Sequence, residues 1–212
     1  MSSIKDPENP QKTTSGFSRR GFMRGVGLSG GAIGAGLLEE EAQAAPPAAS
    51  VSGPAAVPIT LQINGKAVKI SVEPRETLLD TMRNALDLTA AKRVCDRGTC
   101  GACTIIVSGK VMYSCSMLAI DAQGKEIETL EGISAKNHPI IAAFVANDAQ
   151  QCGYCTPGFV VASKGFLDRH PSPTYEEVKM GLGGNLCRCG TYMGIRQAVV
   201  DAGKQLKGGR NA

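Results

Sequence analysis

The sequence predicts an α+β fold in two parts: a unit of β-hairpins with one helix, then an all-α unit. Three observations predict it. Residues 59–72 alternate apolar and polar around Asn64-Gly65, residues 140–206 carry apolar stripes at helical spacing, and eight cysteines divide evenly between the two parts.

In chain order, the first feature is not a fold element. Arg19-Arg20 stands ahead of the weakly apolar run "GVGLSGGAIGAGLL" (25–38), and "AQA" follows at 42–44. This pattern reads as a twin-arginine export signal over residues 1–44 with cleavage after Ala44, and predicts a periplasmic location. Glu39-Glu40-Glu41, just before the cut, departs from the usual pattern. With six glycines in fourteen residues, the run is too short to span a membrane. Residues 45–57 are a Pro/Ala/Ser-rich tether, and no later segment is apolar enough to cross a membrane.

From residue 58 the period is two. Ile59, Leu61 and Ile63 share one face, Val68, Ile70 and Val72 repeat the alternation, and Asn64-Gly65 between them marks a tight hairpin. "TLLDTMRNAL" spaces Leu78, Met82 and Leu86 as a helix does. "CTIIVSGKVMYSC" predicts a second hairpin turning at Ser108-Gly109, and "EIETLEG" a last strand. These make a compact unit over 58–133, with "SAKNHP" (134–139) as the link to a second unit, 134–212. There "IIAAFV" is helical, Pro157 suits a first helical position, Thr174 with Glu177 forms a capping box, and Ile195, Val199, Ala202 and Leu206 lie on one stripe. His138 and His170, the only histidines, stand beside Pro139 and Pro171 and are expected to cap or turn.

Net charge is +4, with basic and acidic residues interspersed, which excludes the concentrated basic stripe of a nucleic-acid surface. The cysteines carry the chemistry. Cys95, Cys100, Cys103 and Cys115 read C-x4-C-x2-C followed by one more, the plant-type spacing for a [2Fe–2S] cluster. Gly98 and Gly101 allow the loop to turn its N–H groups toward an anion. Zinc ribbons favour two C-x-x-C knuckles, which this group lacks. Cys152, Cys155, Cys187 and Cys189 read C-x2-C, then 31 residues, then C-x-C. A lone C-x-x-C also suits a redox dithiol, half a zinc site or a disulfide, and this second group alone leaves a four-cysteine zinc site open. Each pair precedes a predicted helix, whose N-terminus favours an anionic cluster. Disulfides fit an exported chain, but a twin-arginine signal suits one folded around its cofactor before export.

Side by side, "VCDRGTCGACTIIVSGK", "QCGYCTPGF" and "GNLCRCGTYMGI" resemble the two-[2Fe–2S] subunit of the xanthine oxidase family of molybdenum hydroxylases, over residues 58–206. With the export signal, the chain looks most like the iron–sulfur subunit of a bacterial periplasmic aldehyde oxidoreductase. The resemblance implies a β-grasp ferredoxin-like domain followed by a four-helix [2Fe–2S]-binding domain. It implies a large partner subunit with a molybdopterin cofactor, where the aldehyde is oxidised, and an FAD-binding subunit or a cytochrome c as acceptor. Carried over, Cys152, Cys155, Cys187 and Cys189 receive electrons first, and Cys95, Cys100, Cys103 and Cys115 pass them on. Gln151 matches the glutamine that contacts the pterin, and Cys189 the ligand near the pterin amino group. Where many members read C-R-C-T-G-Y, this chain has Cys187-Arg188-Cys189-Gly190-Thr191-Tyr192. That variant resembles the aldehyde and isoquinoline-type branch and points away from purines. A related N-heterocycle hydroxylase subunit and a free two-cluster ferredoxin are the rival readings.

Overall fold

The computed structural model describes residues 53–209; the expected export signal, and the expected tether as far as residue 52, lie outside the described residues. Strand β1 (Val57–Ile63) pairs antiparallel with β2 (Lys66–Val72), Val57 opposite Val72 and Ile63 opposite Lys66. Asn64 and Gly65 turn the chain at φ +52° and +78°, both left-handed, as a two-residue turn matched to strand twist requires. Ile59, Leu61 and Ile63 face inward and are buried, so the alternation read from the sequence is the core face of β1.

Helix α1 (Leu78–Asn84) starts where the Thr77 hydroxyl accepts the N–H of Asp80 at 3.1 Å. Its buried Leu78, Leu79 and Met82 pack in one core with Leu61, Ile105 and Ile127. Strands β3 (Thr104–Val107) and β4 (Lys110–Tyr113) form the second hairpin, turning at Ser108-Gly109, and β5 (Glu126–Glu128) completes the sheet. The order is β2-β1-β5-β3-β4, with β5 parallel to β1 and antiparallel to β3. Parallel pairing of the first and last strands, with α1 packed on the same core, is the β-grasp arrangement.

The helical part comprises α2 (Leu130–Ala135), α3 (Pro139–Ala146), α4 (Thr156–Arg169), α5 (Tyr175–Gly181) and α6 (Tyr192–Gly209). The capping box on α5 is complete: Thr174 and Glu177 bond each other's backbone N–H groups. Ile195, Val199 and Ala202 of α6 are buried with Ile140, Phe144, Phe159 and Leu167, and Leu206 packs at their edge. Helix α2 was not expected. It spans Leu130–Ala135, so it runs into the expected link at 134–139, and its Ile133 joins the helical core.

Strand β3 explains how they hold together. All four of its residues are buried, because Ile105 and Val107 enter the first core while Ile106 enters the second. An apolar run without alternation is what a strand buried on both faces requires. Helix α4 covers the outer face, with Gly165 lying against Val111 and Ile106. An ion-pair network adds to this seam. Lys164 of α4 meets Glu128 of β5 at 2.7 Å and Asp168 at 2.8 Å, and Lys136 meets Glu128 at 2.9 Å. Burial raises the Glu128 pKa, but the two ammonium groups outweigh it and hold the carboxyl below its ordinary value.

Both histidines do act at helix ends. His170 ends α4, stacked on Phe166, and His138 begins α3, its Nδ1 accepting the N–H of Ile140 at 3.2 Å. Burial, then the Lys164 charge, hold the His138 pKa below the ordinary 6.5, with Asp168 and Glu128 opposing. A depressed histidine pKa means that the fold favours the neutral ring. That contribution is complete above the unfolded value and is lost as pH falls through the folded one. His138→Asn keeps a capping acceptor without titrating. Between about pH 7.5 and about pH 5, thermal melting should show the wild type losing up to about 1 kcal/mol more stability than this variant, the worth of a helix cap.

Candidate metal centres

The first cysteine group is built on the loop between α1 and β3. Asp96, Gly98 and Gly101 have φ of +55°, +69° and +71°, so the backbone curls and turns its N–H groups inward. The N–H of Gly98 points to Cys115 Sγ at 3.3 Å, and that of Thr99 to Cys95 Sγ at 3.4 Å. Glycine at 98 and 101 is thus required by geometry, as the spacing suggested. Cys115 sits on a 3₁₀ turn (Ser114–Ser116) directly after β4, and Ser114 clamps that turn by donating its hydroxyl to the Cys103 carbonyl at 2.8 Å.

These thiols are unequal. The Thr99 hydroxyl, followed by the N–H of Arg97, draws the Cys95 pKa down to about 6. Burial pushes Cys103 up to about 11, and Cys115 alongside adds to it. A buried pair of thiols held in contact ionises easily only with a cation between them, because a bound metal deprotonates a coordinating thiol outright.

The second group brings together two segments remote in sequence. Cys155 is the N-cap of α4, while Cys187 and Cys189 precede α6. Cys155 lies near both Cys187 and Cys152, and Cys189 near both Cys152 and Cys187, so the two segments meet at their sulfurs. Burial, then Cys187 and Cys152, push Cys155 up to about 12. At Cys187 burial acts upward too, but the Thr191 hydroxyl, 3.3 Å from its sulfur, and the N–H groups of Thr191 and Gly190 bring it down to about 7. Gly153 and Gly190 take φ of +81° and +82°, the same curl as in the first loop.

The sequence therefore brings all eight cysteines into two quartets, and all eight are free thiols. A two-iron cluster divides four thiolates between its irons, which a group of four cysteines supplies. The four-thiol donor set and the inward N–H groups fit [2Fe–2S] clusters at both places.

Burial separates the two quartets. Cys103 and Cys115 are buried, whereas Cys152 and Cys189 are exposed. Gln151 is exposed next to Cys152, at the same edge. Residues the motif reading passed over are Thr99 and Thr191, whose hydroxyls serve Cys95 and Cys187. The signal was present: each threonine stands four residues after its cysteine.

Two family descriptions match the chain in tandem. "2Fe-2S iron-sulfur cluster binding domain" covers residues 61–130, and "[2Fe-2S] binding domain" covers residues 129–200. The aldehyde oxidoreductase iron-sulfur-binding subunit PaoA of Escherichia coli K12 is 39% identical over 75% of this chain and 77% of that protein. The chain belongs to the iron–sulfur subunits of the xanthine oxidase family of molybdenum hydroxylases. Solved structures agree. Quinoline 2-oxidoreductase from Pseudomonas putida 86 superposes with a TM-score of 0.69 at 39% identity, over 73% of this chain and 98% of that one. The aldehyde oxidoreductase from Desulfovibrio desulfuricans gives 0.68 at 40% identity, over 71% of this chain but 17% of that much longer one. As a member of this family, the chain is a two-cluster [2Fe–2S] protein of the β-grasp plus helical type.

The two parts approach closely near the sulfurs at Gly158 of α4. A Cβ there would overlap the Gly101 carbonyl oxygen and come within 3.1 Å of Ala102 Cα. Gly158→Ala should therefore force α4 off the first cysteine loop and destabilise the protein by about 1–3 kcal/mol. Chemical denaturation of the iron-loaded chain checks this, and an unchanged midpoint would contradict the close packing.

Proposed function

We propose that this chain is the electron-transfer subunit of a molybdenum-dependent aldehyde oxidoreductase that works in the periplasm. Cys95, Cys100, Cys103 and Cys115 hold one cluster, and Cys152, Cys155, Cys187 and Cys189 the other. Similarity to an aldehyde oxidoreductase iron-sulfur-binding subunit along both cluster domains is the observation that carries the reading. Oxidation on the large partner converts an aldehyde and water to a carboxylic acid, two protons and two electrons. When bound, the two clusters supply one-electron carriers between the partner's molybdopterin centre and an acceptor subunit that carries FAD or a cytochrome c.

The residues of this chain position and expose that relay. The open edge of the helical site faces the large partner: within four residues of Cys152 or Cys189 along the chain are Tyr154, Leu186 and Met193, apolar side chains that are 53%, 57% and 74% exposed. Such a group is out of place in water and suits a partner surface. Gln151 lies at this edge and donates or accepts through its amide toward the pterin. The site in which Cys103 and Cys115 are buried serves the acceptor side. Arg19-Arg20 and the Ala-Gln-Ala at 42–44 support export by the twin-arginine route. Among the described residues no helix is long and apolar enough to cross a membrane.

A second reading is supported by one observation. Identity to a quinoline oxidoreductase, 39%, equals that to PaoA, so an N-heterocycle hydroxylase is the alternative for the partner's substrate.

Gentle extraction from the native source should bring down the chain with a large molybdenum protein, and that complex should oxidise aldehydes rather than N-heterocycles. A lone chain would overturn the subunit reading, and N-heterocycle turnover without aldehyde turnover would select the alternative. In the same complex, Gln151→Ala should lower turnover by roughly ten- to a hundredfold, the scale of a lost polar contact at a cofactor, with both clusters assembled. Comparing kcat and iron content of the two complexes checks this.

A further inference from the structure

The two cysteine quartets lie in different domains, yet three consecutive residues tie them. Gly184, Asn185 and Leu186 run directly into Cys187. Each contacts the first cysteine site. The Tyr113 hydroxyl, two residues before Cys115, donates to the Gly184 carbonyl at 2.7 Å. The Asn185 amide donates to the Gly101 carbonyl at 2.7 Å and reaches the Thr104 hydroxyl at 3.1 Å. The Leu186 N–H donates to the Cys100 carbonyl at 3.0 Å.

Asn185 is the centre of this strap. It is 6% exposed, in a segment where its neighbours Gly184 and Leu186 are open to solvent. Thr104 Oγ1, at 2.5 Å from the Gly101 carbonyl, closes the triangle. Gly101 must lack a side chain for this to exist, since a Cβ there would stand 2.6 Å from the Asn185 side chain and from the Gly184 carbonyl. Gly101 itself lies between Cys100 and Cys103, so the amide grips the loop at its cysteine-bearing turn. A buried amide with satisfied partners is expensive to misplace, which makes such a network a good device for fixing geometry.

We infer that Asn185 is a positioning residue that locks the helical cysteine site at a fixed place relative to the ferredoxin-like site. Resting on the two-cluster reading above, the lock sets the separation and orientation across which electrons cross. Tyr113 and the Leu186 N–H hold the same strap from either side, so the second site cannot shift without breaking bonds to the first.

The test uses the full chain in its native complex, reduced with dithionite. Asn185→Ala and Tyr113→Phe are compared with wild type by iron and sulfide content, by the magnetic splitting between the two reduced clusters in EPR, and by the rate of internal electron transfer. The lock predicts unchanged iron and sulfide, an altered splitting and a slower transfer, larger for Asn185→Ala than for Tyr113→Phe. Unchanged splitting and unchanged rate in an iron-replete Asn185→Ala complex would overturn it. If Asn185→Ala fails to assemble, Tyr113→Phe decides alone, because it removes a single exposed hydroxyl bond and keeps the ring; unchanged splitting there overturns the inference. Wild type without two clusters would instead overturn the reading on which this rests.

Discussion

Eight sulfur atoms that must carry negative charge are gathered into two small volumes, and the rest of the chain is arranged around that. Thiols brought together and buried resist ionisation, as Cys103 and Cys155 show. The chain counters with positive φ at Gly98, Gly101, Gly153 and Gly190, with inward N–H groups, and with the hydroxyls of Thr99 and Thr191. The same local device occurs in both sites although their scaffolds differ. One hangs on a sheet, the other on two helix N-termini, whose free N–H groups and dipole ends add to the same effect.

The second demand is that two sites on two scaffolds act as one object. The fold meets it with a strand that belongs to both cores. Because Ile105 and Val107 face one way and Ile106 the other, β3 cannot leave one domain without emptying the other. Cys103 is bonded directly to this strand, and Cys155 begins the helix that covers it. Packing and ligation are therefore continuous, and Lys164 between Glu128 and Asp168 reinforces the seam at its polar end.

What was legible in the sequence was local. Asn64-Gly65, Thr174 with Glu177 and the stripe on α6 each depend on residues a few positions apart, and each is in place. What was not legible depends on distant partners. Helix α2 lacks a side-chain cap of its own: Thr129 is held by the amide of Asn64, 65 residues away, and Gly132 is needed because a Cβ there would strike the Asn64 side chain. The strap to Asn185 has the same character, since nothing near residue 185 announces Gly101 or Tyr113. The parallel pairing of β1 with β5 likewise joins strands at opposite ends of the domain.

The account rests on two independent four-cysteine sites, and the most direct measurement is iron and acid-labile sulfide per chain with EPR of the reduced protein. It is made on wild type beside Cys103→Ser and Cys187→Ser, all prepared anaerobically. Two irons and two sulfides per site are predicted, with two distinguishable signals, of which each variant loses a different one. Zinc in place of iron, a wild type with one signal only, or a variant that keeps both signals would contradict it.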